Sequence, residues 1–187
     1  MELEVSAEAK DKALNRKVAM TVVILSVAMG LGNIKDGNIV QAMQQAKADS
    51  VDRWGEYQAT KTKWHIADTA RAEISVMAGE RPSAAVAKTL ASLDAEVAKY
   101  RTSAPQLAKQ AQDLAARYDA LNVHDDQFDA SEALISTAIS VAAVAALAES
   151  LGTLTMAWVL GGFGLFMGVC GFAGWGFHPD ILSNFLG

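Results

Sequence analysis

The chain has one cysteine, Cys170, so no intrachain disulfide can staple it. It has three prolines among 187 residues, so little in it forbids long helices. Its three histidines, His65, His124 and His178, lie far apart in sequence. It contains no Gly-x-Ser-x-Gly, phosphate loop, Cys-x-x-Cys or His-Glu-x-x-His. Hydrolase and transferase readings fail on that inventory, and the expectation is a protein that is not an enzyme. A basic excess is also missing. The net charge is −5, and residues 35–130 hold 12 Lys/Arg against 14 Asp/Glu, so no nucleic-acid partner is expected.

Charge is absent over three long stretches. Residues 18–34, 133–148 and 150–177 carry none, while the chain as a whole is 51% hydrophobic. A membrane-spanning helix needs roughly 17–25 apolar residues. The sequence therefore predicts an all-α integral membrane protein with three transmembrane helices. The predicted boundaries are an amphipathic N-terminal segment 1–17, spans at 18–34, 128–149 and 150–177, and an interfacial tail 178–187. No small-x-small cleavage site ends the first span cleanly, so it reads as an uncleaved signal anchor.

Between the first two spans, residues 35–127 read as an extramembrane antiparallel coiled-coil hairpin. Val86, Leu90, Leu93, Val97, Tyr100, Ala104, Leu107, Ala111, Leu114, Tyr118 and Leu121 alternate steps of four and three without a slip. Ile39, Met43, Ala46, Tyr57, Trp64, Ala67 and Ile74 share a seven-residue frame in the first arm, weakened by Ser50, Arg53, Thr60 and Arg71. Gly79 can end one helix and Ser83 can cap the next. Pro105 lies off the seam, with Ser103 available to cap a restarted helix, so a kink or broken turn is expected there. Helices of roughly 40 residues would extend about 60 Å. Trp54, Tyr57 and Trp64 form an aromatic stripe that two helices alone hide poorly, so it reads as helix–helix or subunit contact, or as a binding platform.

Gly161, Gly164, Gly168 and Gly171 are spaced three, four, three, which places them on one helix face. Glycine weakens a helix in water, but in lipid a small-residue face lets helices pack closely. The stripe is therefore expected to mark where this helix meets a neighbour. A flat cofactor between helices is the competing use, although no cofactor is assigned. His124, Asp126, Asp129 and Glu132, with Asp125, form the densest polar cluster. It reads either as acids complementing the start of the second span or as a proton or divalent-metal site. Glu132 and Glu149 flank that span and would line a path if the chain transports.

Four Lys/Arg (Lys10, Lys12, Arg16, Lys17) precede the first span and only Lys35 follows closely. The positive-inside rule then puts the N-terminus in the cytoplasm and the hairpin in the periplasm. Three stretches carry a resemblance. Asn15-Arg16-Lys17-Val18-Ala19 opens the first span. Residues 47–59 centre on Asp52, Arg53 and Trp54. Residues 124–134 read His-Asp-Asp-Gln-Phe-Asp-Ala-Ser-Glu-Ala-Leu. With the order span, helical region, span, span, the chain resembles the bacterial membrane family known as domain of unknown function 4337. The resemblance implies a multi-pass inner-membrane protein and supplies no activity. The functional expectation is a structural, scaffolding or accessory-subunit role in a homo-oligomer or larger membrane complex, with membrane lipid as its surroundings. The alternatives are a channel or transporter component using Glu132 and Glu149, and a pigment- or quinone-bearing subunit of an energy-transducing complex.

Overall fold

Apolar runs and heptads resolve into three helices: α1 Glu2–Ala78, α2 Ala84–Leu147 and α3 Leu151–Ala173. The structure, a computed structural model, describes the backbone of residues 2–177 and the side chains of residues 12–177. The tail 178–187 and the side chains of 1–11 lie outside the described residues. The chain divides into two compact units. One joins Met1–Ala42 to Ala120–Gly187, and the other is Met43–Asp119.

The first unit is a three-helix bundle with two core clusters. Leu14 and Val18 of α1 meet Ala142 and Ala145 of α2 and Leu154 and Ala157 of α3. Farther along, Leu25 packs with Ile135 and Ala138. All three helices are long and apolar enough to cross a membrane. The glycine face of α3 is filled from within the chain. A Cβ on Gly161 would meet Leu25 and Ala138, one on Gly164 would meet Ile135, one on Gly168 Ser131, and one on Gly171 Phe128. As α3 advances from 161 to 171, its partners on α2 recede from 138 to 128, so the two helices run antiparallel in unbroken register. The neighbour met by the stripe is thus α2 of the same chain. The missing Cβ atoms let this pair come into close van der Waals contact, the kind of packing that holds helices together in lipid.

The link between α2 and α3 is three residues long. Ser150 N–H donates to Ala145 O and Glu149 N–H to Ala146 O, with Glu149 in the left-handed region at φ 48. These paired bonds close the end of α2 in the way glycine usually does. Ser150 then caps α3 by accepting from Thr153 N at 3.2 Å.

The second unit is a two-helix hairpin. Gly79, at φ 60, ends α1, and Ser83 accepts from Val86 N–H at the start of α2. Its arms are antiparallel: Ser50 Oγ donates to Ala111 O at 3.0 Å, Arg71 Nη1 meets Asp94 Oδ1 at 3.1 Å, and the Lys47 ammonium lies 5.4 Å over the Tyr118 ring. The polar residues that weaken the first arm's frame are thereby used. Ser50 and Arg71 bridge the arms, whereas Arg53 turns out and pairs with Glu56.

The interruption expected at Pro105 does not occur. α1 also runs unbroken through Gly30, Gly32 and Gly37. Each interior glycine costs about 1 kcal/mol relative to alanine, but none removes a backbone donor. A Cβ on Gly32 would lie 3.7 Å from the Phe128 ring, an ordinary van der Waals distance. α2 likewise passes Pro105 and the polar stretch 122–127 without a broken turn. Ser103 caps nothing there. Its hydroxyl donates back to Tyr100 O, and Pro105 faces outward while its neighbour Ala104 is buried on the seam.

Candidate functional site

The polar residues around 122–132 lie on continuous α2, with Gln127 turned inward and Asp129 and Glu132 outward, and α1 brings a residue the sequence reading did not select. Asp36 stands two residues past the first charge-free run and opposite Asp125. Its carboxyl is half-buried, and its Oδ1 is enclosed with no donor. Burial pushes the Asp36 carboxyl up from 3.8 to about 6, reinforced by the charge of Asp125, a hydrogen bond shared with it, and the charges of Asp129 and Glu132. Burial also raises Asp125, whose bond from Asp36 opposes the rise. Each of the two carboxyls therefore keeps its proton to higher pH than a free carboxyl does.

The remaining side chains are arranged as a lock. Gln127 is fully buried, and its amide Nε2 donates to the carbonyl oxygens of Trp175, at 2.8 Å, and Phe177. Both carbonyls belong to the stretch after α3, which ends at Gly174 in the left-handed region at φ 67. With its N–H groups so used, Gln127 Oε1 accepts from His124 Nδ1 at 3.0 Å, which assigns that proton to Nδ1. Asn122 donates to Asp126 at 3.2 Å one turn earlier. Phe128 packs edge-on against Phe172, with ring centroids 5.2 Å apart.

Of the cluster selected from sequence, His124 and Asp126 are half-buried, while Asp129 and Glu132 are exposed. Glu149 is exposed at the other end of the α2 span. Among the described residues no group of three or more His, Cys, Asp or Glu is arranged to hold a metal ion. What the geometry brings together here is the Asp36–Asp125 carboxyl pair. In the hairpin, Trp54 sits at the margin, edge-on to Tyr57 at 5.4 Å, and Trp64 carries the Lys61 ammonium 4.8 Å over its ring. Every seam residue from Val86 to Leu121 is buried or half-buried. Cys170 is buried in α3.

A carboxyl raised by folding holds its proton more tightly in the fold than in the unfolded chain. Its contribution is favourable in acid and is lost as pH rises from about 4 to about 6. Asp36→Asn is therefore expected to flatten that part of the pH profile. Partial exposure limits the gain to about 1 kcal/mol, or about 2–4 °C in thermal midpoint at pH 7.5. Midpoints measured from pH 4 to 8 check this; an Asp36→Asn profile parallel to the parent's would refute the raised carboxyl.

An α-helical bundle closed by a glycine face, with three helices long and apolar enough to cross a bilayer, defines the class as an all-α protein suited by composition to a membrane. Within that class the chain belongs to the family described as Domain of unknown function (DUF4337), whose model matches residues 14–174. No curated protein and no solved structure matches it.

Proposed function

We propose that this chain is a structural, scaffolding subunit of a membrane assembly, with its hairpin as the contact element. The observation that carries this reading is the hairpin's incomplete burial. Leu90, Leu93, Val97, Leu107 and Leu114 are seam residues, yet they remain half-buried. Val51 is 60% exposed and Ile66 65% exposed on the same unit. Two helices cover one stripe each, and a second hairpin or another protein would cover the remainder. The charge bias keeps the reading of an inner membrane, a cytoplasmic N-terminus and a periplasmic hairpin.

Mass measurement of the complex in mild detergent tests the proposal. The expected mass is that of two or more copies, or of a complex with a copurifying protein. Val51→Glu with Ile66→Glu is expected to reduce it to one copy with helicity unchanged. A parent chain that is monomeric and alone across concentration would sink the scaffold reading.

A further inference from the structure

In the first unit α1 and α3 run parallel, and their outward side is an open groove. The indole Nε1 of Trp158 donates to Thr21 Oγ1 at 2.8 Å, and that hydroxyl donates to Lys17 O at 2.9 Å. The polar atoms of both side chains are thus satisfied, and the ring is fixed as a wall. Two depressions share Thr21, Ile24 and Trp158. One, of about 280 Å³, is floored by Leu25, Gly161, Gly162 and Leu165. The other, of about 300 Å³, continues past Met20 to Arg16 and Lys17. The groove is apolar along most of its length and cationic at one end.

Two further observations concern what fills it. Among the described residues no ion pair engages Arg16 or Lys17. Gly162, unlike the four glycines of the packed face, meets nothing: a Cβ there has no neighbour within 4 Å. A bare backbone in mid-helix costs about 1 kcal/mol and here serves no contact with another helix. It deepens the trough instead. Lys17 and Leu25 are eight residues apart, which is about 12 Å along the helix axis. The cations therefore lie at the rim of the first span and the trough runs into it.

We propose that this groove binds one anionic phospholipid, its phosphate held by Arg16 and Lys17 and one acyl chain lying between Ile24, Trp158 and Gly162. Paired cations at a membrane surface attract an anionic headgroup, and the arginine guanidinium can grip a phosphate through two bonds. The apolar trough excludes free phosphate as the occupant. This site is independent of the hairpin contacts that support the scaffold reading.

The test uses the full chain in mild detergent, with lipid retention read by native mass spectrometry. Phosphatidylglycerol and phosphatidylcholine of identical acyl chains are the probes. The parent is expected to retain phosphatidylglycerol in preference by about tenfold. Arg16→Gln with Lys17→Gln is expected to bring the ratio near one. Gly162→Leu is expected to reduce retention of both lipids, with the thermal midpoint unchanged because its side chain enters open space. A parent without preference, or charge variants that keep it, would overturn the proposal. So would Gly162→Leu that keeps the lipid but lowers the oligomer mass, since the groove would then seat a second copy.

Discussion

Gly164→Leu is expected to cost the protein more than 3 kcal/mol of stability, enough to lower the thermal midpoint in detergent by about 6–12 °C or to prevent accumulation. At this position even a single Cβ would come within 2.8 Å of Ile135 Cγ1, 3.1 Å of Leu134 Cβ and 3.2 Å of the Ile135 backbone nitrogen. The first contact could be relieved by a rotamer change, but the backbone nitrogen cannot swing away. α3 would have to separate from α2, and the loss would spread to Gly161 and Gly168 on either side. Gly162→Leu supplies the control, because it adds the same side chain to the same helix on the open side. Its expected effect lies within about 0.5 kcal/mol. Equal midpoints for the two variants would show that the glycine face is not close-packed. The effect falls on the chain's own fold before any assembly, because the surface facing Gly164 is Ile135 of the same molecule.

Gln127→Leu is expected to cost about 2 kcal/mol or more. The substitution preserves most of the volume and removes three hydrogen-bonding connections together. Trp175 O and Phe177 O lose their shared donor, and His124 Nδ1 loses its acceptor. Each hydrogen bond lost costs about 0.5–1.5 kcal/mol net, and three are lost at once. Hydrogen exchange locates the loss. The Trp175 N–H, bonded to Cys170 O at 3.0 Å, is expected to exchange faster while amides in the middle of α3 keep their protection. Unchanged exchange at Trp175 would mean that Gln127 holds nothing.

The elements that were legible in the sequence owe their legibility to periodicity. The Val86–Leu121 seam could be read because its steps of four and three state which residues share a face, and those residues are the least exposed of their segment. The glycines at 161–171 could be read for the same reason, although spacing alone cannot tell whether the surface opposite belongs to another copy or to α2. Asp36 was missed because nothing local distinguishes it. Its significance comes from α1 and α2 running antiparallel, which sets it against Asp125, nearly ninety positions away. Gln127 looked like one more polar residue in a junction, and only the return of the chain after Gly174 turns its amide into a clasp. The expected break at Pro105 failed because a local helix penalty of about 3 kcal/mol yields to tertiary contacts on the other side of the helix, here the seam with its buried Ala104.

The pairing of Leu25 with Gly161, and of Thr21 with Trp158, bears on the order in which the chain can be made. These partners stand 136 and 137 positions apart (161 − 25; 158 − 21). A ribosome delivers residues at about 5–20 per second. The first apolar helix therefore waits on the order of ten seconds for the last one before this side of it is covered. α2 and α3, joined by a three-residue link, meet almost as soon as both exist. The earliest helix made is thus the last to be fully seated, and a chain halted before α3 would leave Leu25 packed on α2 alone, with the side that meets Gly161 uncovered.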